Sequence, residues 1–211
     1  MQGPVSYIAI LDASVLVPGF LSNLLLWLAE MDLYRAKWSE DIHTEWIRSR
    51  KERYGIPVEV SQTRRETMDQ QFPQGLVSDY QSLIDGLTLD DVDDRHVLAA
   101  AIKCGADAIV TTNLKHFPIK ALAPYNIVPV HQDDFVLDQI GLTGSSSARR
   151  VAIALVRHKK SLTHSRTSWC QYFESMARAG VGLQKAHAEV TSPEFKAVIA
   201  DVLKSGDWMP E

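Results

Sequence analysis

The sequence predicts a three-layer α/β/α domain around a central parallel sheet, followed by a small all-helical subdomain. Two nearly continuous apolar runs, 6–11 and 106–111, are typical of strands buried on both faces of a parallel sheet. Several helical segments separate them, as expected of parallel β–α–β connections. A small, polar stretch then precedes a tail with helical periodicity. We therefore expect a sheet domain at 5–140, a flexible linker at 141–147 and a helical subdomain at 148–211.

The other elements follow from periodicity, caps and breakers. Ser39 is expected to cap a long helix, and Gly105 to end the helix that precedes the second apolar run. Pro129 gives the last strand the character of an edge strand. Helices are predicted at 20–31, 40–53, 61–72, 76–83, 93–104, 133–140, 148–161, 168–179, 183–190 and 193–204, and further strands at 34–38 and 125–130.

The composition is that of an ordinary folded protein, with 211 residues, 45% of them hydrophobic and 23% charged. A formal net charge of −4 excludes an overall basic signature, so RNA binding would need a local basic patch. Cys104 and Cys170 lack metal-ligand spacing and are expected to be reduced thiols, with a disulfide as the alternative. The sequence has neither a basic signal segment nor a long uncharged apolar run, so we expect a cytoplasmic protein without a membrane span.

Oxygen-bearing side chains follow both apolar runs. Asp12 comes directly after the first run, and Asn113 lies just beyond the second. In open α/β sheets, ligands bind outside the carboxyl ends of the strands. Both residues are therefore candidate site residues, although Asp12 could instead act as a helix cap or turn former.

Two further carboxylates are expected to face inward from helices. Glu45 shares one helical face with Ile42 and Trp46, and an inward carboxylate must be paired, hydrogen-bonded or bound to metal. The alternative is a salt-bridged glutamate at the edge of the helix. Asp94 lies on the face of Val97, in the acidic run 90–94. The other three aspartates of this run are expected to cap the helix and solvate its start.

Three carboxylates and an amide would form a site lined by hard oxygen atoms. Such a site suits Mg²⁺ or Mn²⁺, whereas the absence of a His/Cys set with ligand spacing disfavours zinc. A cation bound there would lower the pKa of water and neutralise charge that develops on a phosphate. The predicted chemistry is therefore phosphodiester hydrolysis. An aspartyl-phosphate phosphatase is disfavoured because its DxD pattern would need an acid where Ser14 stands.

Basic residues concentrate in two places. The first cluster follows Glu45 and would either hold a phosphate backbone or form a solvated helix face. The second lies in the tail, which would either dock on RNA or a partner or cover a helix face. The first comprises Arg48, Arg50, Lys51, Arg53, Arg64 and Arg65, and the second Arg149, Arg150, Arg157, His158, Lys159, Lys160 and Arg166.

Four segments in order resemble the acidic motifs of PIN domains. They are LDAS at 11–14, Glu45, DRHVLAA at 94–100 and IVTTN at 109–113. More narrowly, they resemble VapC-type toxins, the ribonucleases of bacterial toxin–antitoxin pairs. The resemblance covers about residues 5–140, and a helical C-terminal extension is similar to a longer branch of these toxins.

The resemblance implies a Mg²⁺-dependent endoribonuclease with a small VapB-like antitoxin as partner, and commonly a homodimer. Mn²⁺ is the expected substitute ion. Asp12, Glu45 and Asp94 would bind the metal, and Asn113 stands where relatives often carry an acid, which puts a second metal ion in doubt. The supporting residues would be Ser14, which would orient Asp12, and Asp93; the expected RNA contacts are Arg48, Arg95 and Lys115.

Two points stay open at the sequence level. His96 and His116 are candidates for a general acid or base, with a structural role as the alternative for each. Because Asn113 brings no charge, a PIN-like scaffold that binds RNA or protein without turnover is the alternative function.

Overall fold

The computed structural model describes residues 7–141, 145–162, 167–178 and 182–209. Ser6, Arg166 and the middle of the predicted linker, 142–144, therefore lie outside the described residues.

The chain divides into two compact units. We call Met1–Val17 with Tyr34–His131 the sheet unit, and Pro18–Leu33 with Gln132–Glu211 the helical unit. In this division residues 18–33 and 132–140 group with the helices of the tail. The domain boundary at 141–147 stays a prediction.

The sheet unit contains a five-stranded sheet in which each neighbouring pair is parallel. The strands are β1 (Ile8–Leu11), β2 (Arg35–Ser39), β3 (Leu76–Val77), β4 (Ala108–Thr111) and β5 (Val128–His131). Their spatial order is β3-β2-β1-β4-β5. The predicted α/β class with a central parallel sheet and additional helices is thereby confirmed.

Twelve helices accompany these strands in the described part of the chain. They are α1 (Ala13–Leu16), α2 (Gly19–Glu30), α3 (Glu40–Tyr54), α4 (Val58–Gln71), α5 (Gln81–Ile84), α6 (Arg95–Cys104), α7 (Ile119–Leu122), α8 (Gln132–Gly141), α9 (Ser145–Ser161), α10 (Trp169–Ala177), α11 (Gln184–Val190) and α12 (Pro193–Ser205). None of the helices in the described ranges is long and apolar enough to cross a membrane.

The apolar runs form the centre of the sheet, as predicted. Ala9, Ile10 and Leu11 of β1 are fully buried, and so are Ile109 and Val110 of β4. Because successive side chains of a strand point to opposite faces, burial of consecutive residues means that both faces are covered. Each buried Ile, Leu or Val contributes about 1.5–3 kcal/mol relative to an exposed one.

Caps fix the two helices that flank the candidate site. The Ser39 hydroxyl accepts a hydrogen bond from the Ile42 amide at 3.2 Å, so the predicted cap of α3 is confirmed. Gly105 ends α6 with a φ of 64°, in the left-handed region where glycine is favoured. Both helix ends follow directly from the sequence.

One predicted helix was wrong in its first half. Residues 76–83 were expected to be helical, but Leu76 pairs with Trp38 and Val77 with Ser39 to form the short edge strand β3. Only α5 is helical in this range. A two-residue strand is too short to produce an alternating pattern, so its pairing with β2 could not be seen in the sequence.

The helical unit uses its basic residues for internal contacts. Arg149 of α9 forms ion pairs with Asp201 and Asp207 and donates to the Ser205 hydroxyl at 2.9 Å. Arg157 donates to the Trp208 carbonyl at 2.9 Å. Much of the second basic cluster is therefore engaged within the unit, which favours a structural role over RNA docking.

Candidate metal centre

The strand order places Asp12 and Asn113 at the switch point of the sheet. From β1 the chain builds β2 and β3 on one side and then returns to add β4 on the other. Ligands of open α/β sheets bind at such a point, outside the carboxyl ends of the strands. The Asp12 amide donates to the Val110 carbonyl at 3.1 Å, so Asp12 directly continues β1.

Two hydroxyl groups hold the Asp12 carboxylate. Ser14 Oγ donates to Asp12 Oδ2 at 2.6 Å, and Thr111 Oγ1 donates to the same oxygen at 2.7 Å. Asp12 precedes α1, but its side chain makes no capping hydrogen bond, so the alternative of a helix cap is not supported. The contact from Ser14 is the one predicted for a residue that orients Asp12.

The backbone of the loop after β4 fixes the direction of these hydroxyl groups. The Thr112 amide donates to Ser14 Oγ at 3.0 Å, and the Asn113 amide donates to Thr111 Oγ1 at 3.0 Å. Since each hydroxyl accepts from an amide, its single proton is available for Asp12. This role of Thr111 was not predicted, because its only signal in the sequence was its position at the end of a buried strand.

Burial raises the pKa of Asp12, the two hydroxyl groups oppose the shift, and the charge of Glu45 adds to it. Only 4% of Asp12 is exposed. An ionised carboxylate in this position is therefore costly on its own and would be stabilised by a cation.

Glu45 reaches the same site from α3. Asp41, Thr44, Glu45 and Arg48 occupy successive positions along one face of this helix and all line the cleft that contains Asp12. The Glu45 side chain is 35% exposed, and its Oε2 lies 3.6 Å from His96 Nε2. It therefore lies at the edge of the buried stripe and not within it, which corrects the expected inward orientation.

A polar network connects α3 to its neighbours. The Trp46 indole donates to His43 Nδ1 at 2.9 Å, which leaves the proton of His43 on Nε2, 3.1 Å from Asp69 Oδ1. The Trp38 indole donates to the same Asp69 oxygen at 2.8 Å. Burial lowers the pKa of His43, so the neutral imidazole is favoured. The network joins β2, α3 and α4 and thereby fixes the helix that carries Glu45.

Asp94, the residue that precedes α6, also lines the cleft. Its side chain is 16% exposed and makes no capping hydrogen bond; instead, Asp94 Oδ2 lies 2.7 Å from His116 Nδ1. Burial raises the pKa of Asp94, the contact with His116 opposes this, and the nearby charges of Asp12 and Asp91 add to it.

The expectation for Asp91 needs correction. It was expected to cap α6, but its Oδ1 accepts from the Asp93 amide at 3.0 Å and its Oδ2 lies 3.6 Å from His116 Nδ1. Asp91, Asp94 and His116 each offer one ligand atom, and these atoms all lie within 4.8 Å of one another.

One cleft of about 440 Å³ brings the predicted site residues together. Asp12, Glu45, Asp94 and Asn113 all line it. The other described residues of its lining are Asp41, Thr44, Arg48, Asp91, Asp93, His96 and His116.

Two of the predicted RNA contacts lie elsewhere. Arg95 and Lys115 are not among the described residues that line the cleft, whereas Arg48 is. Asp41 and Thr44, which also line the cleft, were not predicted as site residues. The signal that could have identified them as cleft-lining residues was their spacing from Glu45 along α3.

The donor set fits a hard divalent cation. Carboxylate oxygens from three parts of the chain face one open cleft, and the Asn113 amide adds a neutral oxygen donor. An octahedral ion such as Mg²⁺ needs only one or two protein carboxylates and keeps several waters. The described residues provide more than enough ligands for that arrangement.

Comparisons with known proteins give one local match. A stretch of 49 residues is 65% identical to a Mycobacterium tuberculosis protein named "Putative ribonuclease VapC50". The match covers 23% of this chain and 29% of the length of that protein. No family model and no solved structure matches the chain. The parallel-sheet fold and this local identity together confirm the resemblance to VapC-type ribonucleases.

Proposed function

We propose that this protein is a Mg²⁺-dependent endoribonuclease that hydrolyses RNA phosphodiester bonds. The observation that carries the proposal is the convergence of Asp12, Glu45 and Asp94 on one cleft at the switch point of the sheet. The choice of RNA as substrate is supported by the local identity to a protein named as a ribonuclease.

Each residue has a defined part in this proposal. Asp12, Glu45 and Asp94 hold the cation, and Ser14 and Thr111 keep Asp12 oriented. The cation supplies water activation and neutralises charge on the scissile phosphate. Arg48, exposed at the cleft, contacts a phosphate of the RNA and positions the backbone. Asn113 adds an oxygen donor without charge.

The biological setting belongs to the same proposal. We assign the protein as the cytoplasmic toxin of a VapBC-like pair, inhibited by a small antitoxin, with a homodimer as its assembly. The resemblance to VapC-type ribonucleases supports this assignment. Co-expression with the product of a short neighbouring reading frame tests it, since an antitoxin would restore growth and copurify.

Replacement of Asp12 by asparagine tests the catalytic assignment. Asp12→Asn keeps the size of the side chain and an acceptor for the two hydroxyl groups, so the fold is expected to persist while RNA cleavage falls to background. The control is Asp90→Asn, which removes an exposed acid of the run 90–94 that does not line the cleft. Cleavage of a fluorescent RNA with Mg²⁺ and with EDTA gives the readout. An Asp12→Asn protein as active as its parent overturns the assignment.

A scaffold that binds RNA or protein without turnover is the second candidate. The observation that favours it is Asn113, which leaves this position of the cleft uncharged. Calorimetric titration separates the two functions, because a scaffold shows no specific Mg²⁺ or Mn²⁺ binding. Binding that is lost in Asp12→Asn supports the nuclease.

A further inference from the structure

We propose that His116 is a nitrogen ligand of the cation in this cleft, and that it makes the site prefer Mn²⁺ over Mg²⁺. This rests on the proposed metal-dependent function and concerns relative affinity: Mg²⁺ can still bind the site, but Mn²⁺ binds it more tightly. Asp91 and His116 would add two ligand atoms beside that of Asp94, one of the three carboxylates assigned to the cation above.

The distances fit one octahedral ion. His116 Nδ1 lies 2.7 Å from Asp94 Oδ2 and 3.6 Å from Asp91 Oδ2, and all three ligand atoms lie within 4.8 Å of one another. With metal–ligand bonds of about 2.1 Å, neighbouring ligand atoms of an octahedron are about 3 Å apart and opposite ones about 4 Å apart. The three atoms can therefore bind one ion with small side-chain movements.

The backbone holds the imidazole in place. His116 ends a short 3-10 turn, Leu114–His116, and its amide donates to the Asn113 carbonyl at 3.0 Å. The next side chain, Phe117, is 1% exposed and anchors the turn in the core. The imidazole is itself 28% exposed and lines the cleft. It is thus presented to the cleft from a fixed position.

The chemistry of the donor sets the preference. Mg²⁺ is bound almost entirely by oxygen, whereas divalent first-row transition ions accept imidazole nitrogen readily. Replacing one oxygen ligand by a nitrogen thus favours Mn²⁺ over Mg²⁺. The opposing view is that His116 only donates a hydrogen bond to Asp94 and orients it from outside the coordination sphere. In that case no metal–nitrogen bond forms.

Spectroscopy of the full-length protein distinguishes these views without any activity assay. Pulsed EPR of Mn²⁺ bound to protein labelled with ¹⁵N-histidine is expected to show a nitrogen coupling, which His116→Ala removes. Calorimetry is expected to show that the ratio of Mn²⁺ affinity to Mg²⁺ affinity falls in His116→Ala, because the transition ion loses its nitrogen ligand. His116→Asp creates an all-oxygen site. In this variant Mg²⁺ binding is expected to be retained, and the ratio of Mn²⁺ affinity to Mg²⁺ affinity is expected to fall as well. The matched control is His187→Ala, on α11 of the helical unit.

Each outcome has one meaning. Nitrogen coupling that persists in His187→Ala and disappears in His116→Ala supports direct ligation. Mn²⁺ binding without nitrogen coupling, or an unchanged ratio of affinities in His116→Ala, overturns the inference and leaves the metal-dependent nuclease intact. Failure of the parent protein to bind either ion overturns the proposed function as well.

Discussion

The cleft aspartates of the sheet unit and Asp207 of the helical unit respond to their surroundings in opposite directions. In the sheet unit, burial raises the pKa of Asp12 and of Asp94. In the helical unit, the hydrogen bond from Arg149 lowers the pKa of Asp207. Asp12 and Asp94 lie in a cleft lined by several carboxylates, and Asp207 is part of an ion pair that joins α9 to the turn after α12. Carboxylates thus gather in a cleft in one unit and take part in ion pairs between helical segments in the other.

This difference in pKa shifts indicates that the cleft carboxylates of the sheet unit lower the stability of the fold. Carboxylates that crowd together and lose water destabilise the fold unless a cation binds, which is typical of sites shaped by function. Ion pairs at the surface are nearly neutral for stability, and breaking them is mild. Substitutions in the cleft are therefore expected to change binding far more than those in the helical unit. The following predictions test that contrast.

The largest effect is expected for Thr111→Val. Valine preserves the shape of the fully buried side chain but removes a donor to Asp12 Oδ2 and the acceptor of the Asn113 amide. Loss of such an orienting contact typically lowers metal affinity by about 10- to 100-fold. Calorimetric titration with Mn²⁺ measures it. Thr111→Ser, which restores the hydroxyl, is expected to recover most of the affinity; if both variants bind equally, the hydroxyl does not orient Asp12.

A smaller effect is expected for Asp69→Ala. The substitution leaves the Trp38 indole and His43 Nε2 without their acceptor, at a cost of about 1 kcal/mol because Asp69 is partly exposed and water can replace it. The free energy of unfolding in urea measures this. Because the network holds α3, metal affinity through Glu45 is expected to fall as well. Unchanged affinity would separate the network from the site.

The fold, and the placement of Asp12 and Asn113 at one edge of the sheet, could be predicted from the sequence because both depend on local patterns. Asp12 directly follows one apolar run and Asn113 lies two positions beyond the other, which identifies strand ends, and parallel strands bring those ends to one edge. The role of Thr111 depends on β4 lying beside β1, a pairing without any local signal. For Asp91 the sequence offered only membership of an acidic run, and its partner His116 lies on another loop. The orientation of Glu45 was set by the packing of α3, to which periodicity is only a guide.

Arg149→Ala is expected to have a smaller effect again. It removes the ion pairs with Asp201 and Asp207 and the hydrogen bond to Ser205. Because these groups are at the surface, a decrease in Tm smaller than that of Asp69→Ala is expected, with Mn²⁺ affinity unchanged. Differential scanning calorimetry and titration measure both quantities. A loss of metal affinity in this variant would contradict the separation of roles between the units.

The smallest effect concerns the reactivity of two cysteine thiols, Cys104 in the sheet unit and Cys170 in the helical unit. Burial raises the pKa of half-buried Cys104, in α6, to about 11, and the contact with Glu174 raises the pKa of exposed Cys170. Since the thiolate reacts, both label slowly at neutral pH and faster as the pH rises, with Cys170 first because it is accessible. Glu174→Gln is expected to speed labelling of Cys170 a few-fold at neutral pH, because loss of the carboxylate charge lowers the thiol pKa.

Labelling the two cysteines with and without Mn²⁺ compares the effect of the ion on the two units. A cation that binds the folded sheet unit stabilises it against opening, by an amount that grows with the logarithm of the ion concentration. The part of Cys104 labelling that proceeds through opening of α6 is therefore expected to slow as Mn²⁺ is added, while labelling of exposed Cys170 stays constant. Mass spectrometry of the two peptides over time measures both rates in one sample. Equal slowing at both cysteines would mean that the ion acts on the whole chain, and the contrast between the units would then fail.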